Sequence, residues 1–405
     1  MASLNLSDTR RRHDFFQQGI LTNLRYWQRW LPEHQSDVAA MDRERDPLLR
    51  AIGFALELGA PAWPAVYELI LTLAPWMERR GYWDRWDTIL KQAVAAAGQL
   101  AAPDKHTNLL GLTARFLYRQ SRFPESVAAY RRVIRLARQI GDRFNEARAC
   151  TNLGFYFVER GHWHRAEVLC CHALDIFAQL DHQHGLAHTE SHLGSLYFFQ
   201  GKWDQAQPHI ERACALWQAM GDQHGLMYGL MNLGVLHSQR EQPEQALVYL
   251  NQALEYATRT GEVTVTGKIL MNLGVAYRLN GEPEKAEEYG RRAEEIHRHY
   301  SNQNELGRVW QNLGLACLDQ QKWAEARRYL EQSLTTRRRL NHQYGEIQSL
   351  TALLEYELAR GHRARTIARL GEVEQRLQQH HRPELGRKLH ALLEKYHFVR
   401  SEDTG

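Results

Sequence analysis

The stretch Met231-Asn232-Leu233-Gly234-Val235 returns letter for letter, 40 residues later, as Met271-Asn272-Leu273-Gly274-Val275. Thr151-Asn-Leu-Gly-Phe155, Ser191-His-Leu-Gly-Ser195 and Gln311-Asn-Leu-Gly-Leu315 stand at the same phase, with no insertion between any two. A turn signal keeps step at Gly81, Ser121, Gly161, Gly201, Glu241, Gly281, Gln321 and Gly361. Two residues beyond each comes Trp83, Phe123, Trp163, Trp203, Pro243, Pro283, Trp323 or Arg363. Self-similarity at a fixed period of this length marks an array whose units bury their apolar faces against one another. The first and last of these units are degenerate.

Within a unit the period is helical. Trp310, Leu313, Gly314 and Cys317 fall at i, i+3, i+4 and i+7, one face of an α-helix. After the Gln321 turn, Ala326, Leu330 and Ser333 form a second face, so a unit is two antiparallel helices. Glycine recurs at 154, 194, 234, 274 and 314, and alanine at 166, 206, 246, 286 and 326. A mid-helix glycine costs about 1 kcal/mol relative to alanine. Its return at one phase predicts a compensating gain, the close approach of the partner helix.

Trp310-x-x-Leu313-Gly314, with Ala326 and Leu330 following, resembles the tetratricopeptide repeat, and the resemblance runs from about residue 67 to 370. It implies an all-α, right-handed solenoid of stacked helical hairpins. That family's usual unit is about 34 residues and carries a proline near its end. Here those positions hold Ala178, Gln218, Thr258, Arg298 and Arg338. The second helix is therefore free to run on, to stops at Gly141-Asp142, Leu180-Asp181, Gly221-Asp222 and Gly261-Glu262. Long repeats of this kind look like those of kinesin light chains, spindle-orientation adaptors, bacterial signal-transduction ATPases and peptide-responsive regulators.

The composition agrees with an ordinary soluble protein: 405 residues, 43% apolar, 51 Lys+Arg against 47 Asp+Glu, a net charge of +4. Near-neutral balance demands no nucleic-acid or acidic-surface partner. The N-terminus lacks the apolar core of a signal peptide, and no window approaches the roughly 18 apolar residues of a membrane span. A cytoplasmic protein is expected. Cys150, Cys170, Cys171, Cys214 and Cys317 lie in apolar helical pattern and read as reduced packing thiols. The divisions expected are a helical N-terminal cap over 1–66, the array over 67–363, capping helices over 364–400 and a disordered tail over 401–405. Phe15, Phe16, Ile20, Leu24, Trp27 and Leu31 share one face, and Asp46-Pro47 signals a helix start. The segment 13–100, with its Gly81-Tyr-Trp83-Asp-Arg-Trp86 turn, resembles the entry to such sensor arrays, without the nucleotide-binding module expected upstream.

Signs of chemistry are sparse. Gly261 to Lys268 mimics a phosphate loop, but its glycines are one residue too far apart and Ile269 replaces the magnesium-binding hydroxyl. It reads as an inter-repeat turn. His184, His188 and His192 at i, i+4, i+8 could chelate a metal pairwise, yet no third ligand stands at a completing spacing, although Glu190 is near. Cys171-His172 lacks the convergence a nucleophile needs, because consecutive helix residues diverge by about 100°. Arg337 to Arg339 read as cations at a helix C-terminus, and Arg10 to Arg12 as a short basic run. No enzyme activity, cofactor or metal is expected.

The expected functional surface is the concave groove lined by first helices. Counting units from Ala147, Ala187, Met227, Gly267 and Gly307, the fourth, seventh, eighth and eleventh positions pack. The second, sixth and ninth then face the groove. The sixth reads Asn152, His192, Asn232, Asn272, Asn312, amides suited to bond the backbone of an extended peptide or, alternatively, a neighbouring helix. The second reads Arg148, His188, Tyr228, Lys268, Arg308, with Arg278 adding charge at the twelfth. The ninth reads Phe155, Ser195, Val235, Val275, Leu315. A largely apolar floor with a basic edge predicts a protein or peptide partner bearing an acidic, amphipathic segment, the competing reading being a solvated charge stripe. The function expected is a sensor or adaptor acting on a separate effector. Alternatives are a peptide-responsive transcriptional regulator, a hydrolase using His188 or Cys171, and a structural assembly subunit. No membrane or nucleic-acid partner is expected, and self-association is left open.

Overall fold

The computed structural model describes residues 6–35, 37–80, 83–300, 302–380 and 383–398. Among them are nineteen helices and no strand. Two compact units meet between Gly185 and Leu186. The first holds α1 (Leu6–His34), α2 (Val38–Leu58), α3 (Trp63–Arg80), α4 (Trp83–Gln99), α5 (Pro103–Arg119), α6 (Phe123–Ile140), α7 (Arg143–Glu159) and α8 (Trp163–Gln179). The second begins inside α9 (Gln183–Phe199) and continues through α10 (Trp203–Met220), α11 (Gln223–Gln239), α12 (Pro243–Thr260), α13 (Val263–Leu279) and α14 (Pro283–His299). It ends with α15 (Gln303–Asp319), α16 (Trp323–Arg339), α17 (Gln343–Ala359), α18 (Arg363–His380) and α19 (Pro383–Lys395). Gly81 and the 401–405 tail lie outside the described residues.

The turns follow from backbone stereochemistry. Ala101, Ser121, Gly141, Gly161, Asp181, Gly201, Gly221, Glu241, Gly261, Gly281, Gln321, Asn341 and Gly361 all have positive φ. Each is the left-handed residue that ends a helix, and the amide after it bonds back into the last turn: Asp222 N to Trp217 O at 2.9 Å, Lys322 N to Cys317 O at 2.9 Å. The two turns of a unit thus use the same device. Second helices from α4 to α16 start on an aromatic or proline residue, and α18 on Arg363. Several first helices start on a side-chain cap, as where the Asp142 and Asp222 carboxylates accept from Asn145 N at 3.0 Å and Gly225 N at 2.9 Å.

The recurrent glycines do admit the partner helix. A β-carbon on Gly234 would lie 2.5 Å from Leu250 Cγ and 3.2 Å from the Ala246 carbonyl oxygen. At Gly314 it would meet Leu330 at 2.6 Å and the Ala326 oxygen at 3.2 Å. The alanine and glycine rows are therefore two sides of one contact.

Hairpin joins hairpin through a second set of pairs. On the second helices the matching position reads Phe177, Trp217, Ala257, His297, Arg337. Phe177 fills the space over Gly185, and Trp217 that over Gly225. Small Ala257 recurs where the following helix carries Val265 instead of glycine. Four cysteines are buried packing thiols as expected, but Cys171 is exposed, because it sits one helical step off the face its neighbour Cys170 buries. α1 to α4 share a core of Leu24, Trp27, Trp63, Ile70, Trp86 and Leu90 with α5 at Leu109, Leu112 and Phe116.

Replacing Gly234 by alanine is predicted to lower stability to urea by about 1–3 kcal/mol, overpacking outweighing the gain in helix propensity. Gln321→Gly should instead raise the thermal midpoint, relieving a left-handed conformation that costs a side chain about 1–2 kcal/mol.

Candidate functional site

Within the second unit the backbones of α11 and α13, of α13 and α15, and of α15 and α17 approach one another directly, whereas among the described residues second helices meet through long side chains such as Arg291 to Glu325. The first helices therefore form the inner, tighter-curved side. In the first unit α5 and α7 touch in the same way. The fourth, seventh, eighth and eleventh positions of the five counted units are buried apart from half-buried Glu190, Tyr197 and Tyr277, and the ninth is half-buried throughout. The second and sixth are half-buried apart from exposed Arg308 and buried Asn272.

The amides divide into two kinds. Asn152 donates from Nδ2 to the Arg148 carbonyl oxygen at 2.9 Å, one turn back in its own helix. Among the described residues, Asn232, Asn272 and Asn312 make no side-chain hydrogen bond to the protein, and none of their polar atoms is sealed from solvent. The charged row is largely matched internally. Lys268 Nζ lies 3.8 Å and Arg308 Nη1 3.0 Å from the buried Glu305 carboxylate, and Arg278 Nε donates to Asp319 Oδ2 at 2.8 Å. His188 stands edge-on to Trp217 and Tyr228 edge-on to His224. His192, Val235, Val275, Leu315 and, in the first unit, Phe155 are half-buried.

Arg148 belongs to a different setting. In the first unit a cavity of about 180 Å³ is lined by Asn108, Arg115, Arg148 and Asn152 among apolar groups from Leu71, Pro75 and Leu112. Arg148 Nη2 donates to Asn108 Oδ1 at 2.5 Å, and Asn108 in turn donates to Tyr67 Oη at 2.7 Å. No carboxylate pairs with Arg148 among the described residues. Burial, and after it the Arg115 cation, holds its guanidinium below the ordinary value. Asn108 and Arg115 stand 40 residues before Arg148 and Phe155, at the second and ninth positions of the preceding unit, so carrying the same phase one unit back identifies them.

Arg337 is the buried cation of the second unit, 1% exposed between Gly307 and Gly345. Its Nη1 donates to Asn304 Oδ1 at 2.6 Å, and burial with nearby Arg308 pulls its pKa down to about 10. His342 caps α17, its Nδ1 accepting from Gly345 N at 2.9 Å, so the ring must be neutral at that nitrogen. Burial, then Arg337, lowers its pKa.

Other clusters are structural ties. Glu287, Cys317 and Glu325 bring three metal-type ligand atoms within 4.8 Å. Lys322 Nζ, however, lies 2.7 Å from Glu287, and Arg291 contacts both carboxylates. Burial pushes the Cys317 thiol up to about 12. Glu190 bonds His209 Nδ1 at 2.5 Å and Arg212 Nε at 3.0 Å. Gly261 to Lys268 is a helix stop followed by the first turns of α13, with Gly267 buried against His297.

The tetratricopeptide repeat family profile matches residues 185–259 and 265–339. A search of curated proteins finds no match. Among solved structures the chain is similar to aspartyl phosphate phosphatase F from Bacillus subtilis, with 13% identity, TM-score 0.58, and 89% of this chain and 94% of that one covered. A Rap protein complexed with competence and sporulation factor matches at 14% identity and TM-score 0.56, over 82% and 98% of the two chains. A signal-transduction ATPase with a tetratricopeptide repeat sensor, from Pyrococcus horikoshii, matches at 14% and TM-score 0.57, over 85% and 55%. At these identities the likeness is one of fold, an all-α solenoid of tetratricopeptide repeats. Among the described residues no helix is long and apolar enough to cross a membrane.

The His342 geometry carries a pH dependence. Its folded pKa lies below the unfolded value, so the unfolded chain takes up the proton first. Stability is complete above about pH 6.5 and declines as the pH falls from there toward the lowered value. His342→Asn keeps a capping acceptor that does not titrate. It should therefore lose less urea resistance than wild type between about pH 7.5 and 5.5.

Proposed function

Because its central residues are tetratricopeptide repeats, we propose that this chain is a non-catalytic protein- or peptide-binding regulator. Its inner faces hold a segment of a partner, and a separate polypeptide carries the effector activity. One observation carries the reading. Asn232, Asn272 and Asn312 stand at 40-residue intervals along the inner helices, half-buried or nearly so, with their amide groups unspent on the protein itself. Mid-helix asparagine has no intrinsic advantage. An amide that can both donate and accept, repeated at one phase, suits a peptide backbone laid across it. The structurally similar Rap protein was solved with a bound factor, which supports a peptide or protein guest here.

The first unit adds the acidic component of the proposed partner. A carboxylate side chain entering the cavity would reach Arg148 with Asn108 and Asn152 alongside, while Leu71 and Leu112 receive its methylenes. In the second unit Lys268, Arg308 and Arg278 already have acidic neighbours, so partner recognition there rests on the amides and the apolar ninth positions. Peptide-responsive transcription and structural assembly are special cases of the same binding role and have no separate support in the geometry.

The combined Asn232→Ala/Asn272→Ala/Asn312→Ala variant should fold as wild type and lose a partner that wild type captures from native lysate, by about tenfold or more in affinity if two or three amide bonds are involved. A partner retained equally by both proteins would remove the amide row from the function.

A further inference from the structure

α19 is the element that the repeat does not dictate. α17 and α18 already form the last regular hairpin, and α19 touches both. Its side chains, however, reach far back along the second unit. Arg387 Nη2 comes within 3.4 Å of where a Gly201 β-carbon would be. Lys388 Nζ donates to Gln239 Oε1 at the end of α11, at 3.0 Å, and Lys395 Nζ to Glu355 Oε1 on α17, at 2.9 Å. The Arg278–Asp319 pair, joining α13 to α15, is close enough to act electrostatically on Tyr396. All four helices reached are first helices, near their C-terminal ends. Leu385, Leu389 and Leu392, at i, i+4 and i+7, are buried, the last two in the cluster that forms the repeat core. Leu393, Tyr396 and Phe398 pack beside that cluster. α19 is thus an amphipathic helix laid along the inner side of its own array.

Its hold is light. Lys388 and Lys395 are exposed, and polar ties of exposed lysines contribute little. Thirteen residues are about the shortest helix that persists alone. Gly386 weakens it further without structural need, since a β-carbon there would meet nothing within 4 Å.

We propose that the inner face formed by the C-terminal ends of α11, α13, α15 and α17 is a docking surface for an amphipathic helix with leucines at i, i+4 and i+7 flanked by cations, and that α19 is its resident occupant. A partner helix of the same chemistry displaces it. The inference rests on reading the inner side as the partner-binding surface and assigns the segment that competes for it. Glu355 and Gln239 are the polar groups that meet the lysines of α19 on this face, Asp319 being held by Arg278, so the displacing helix is basic, in contrast to the acidic segment proposed for the first unit.

The test uses the full chain and a fluorescent peptide of residues 383–398 as probe, read by anisotropy. Leu389→Asp/Leu392→Asp, which releases α19, should bind the probe about tenfold or more tightly than wild type. Gly386→Ala, which strengthens α19, should bind it about fivefold more weakly than wild type. Adding Glu355→Lys to the released variant should weaken binding severalfold, and a Lys395→Glu probe should recover the loss. The proposal is overturned if the released variant, folded by circular dichroism, binds no better than wild type, or if Gly386→Ala leaves probe affinity unchanged. No natural partner enters this experiment, so its failure is separable from failure of the amide row, which the triple asparagine variant reports by itself.

Discussion

The contact on which the array depends is that between a glycine in each first helix from α7 to α15 and the backbone of an alanine in the second. At Gly234 and Gly314 the alanine oxygen lies 3.2 Å from the place a β-carbon would occupy, and at Gly274 the distance is 3.1 Å. Two helices held this closely have one relative orientation, because any larger group at either position forces them apart. The hairpin becomes a rigid unit. Every later property, including which positions turn inward, follows from stacking copies of it.

That rigidity explains how much was legible before any coordinates. A fixed period, a helical face and two rows of small residues are local facts, and they determine the hairpin and the phase of its inner side. The second, sixth and ninth positions of the five counted units are half-buried, with Arg308 exposed and Asn272 buried at the two extremes. What the repeat could not reveal depends on pairs between units. Arg337 sits in a run of three arginines that reads as a solvated helix end, yet it is buried because Gly307 and Gly345 leave it a space. The positive row looked like an open edge, but Glu305 and Asp319, at other phases, stand against it. α19 was legible as an amphipathic helix. Its destination was not, since Gln239 is 149 positions away.

The two units present different electrostatic surfaces from one scaffold. In the first, a desolvated guanidinium faces a small cavity with amides as its neighbours. In the second, Lys268 and Arg308 share Glu305 and Arg278 holds Asp319, while the groups that meet the lysines of α19 are Gln239 and Glu355. A repeat protein can diversify in this way because the inner positions are free of packing duties once the glycine and alanine rows are fixed.

The pairing of Phe177 with Gly185 and Trp217 with Gly225 has a consequence for how such a chain can evolve. Each hairpin carries a knob shaped for the socket of its successor, so neighbouring hairpins are not interchangeable despite their common backbone. Excising α11 and α12 would bring the Trp217 indole onto Val265 instead of a bare glycine. Gene duplication or loss that respects hairpin boundaries would therefore break the seam. Rearrangements that cut within a hairpin, keeping knob and socket together, would preserve it.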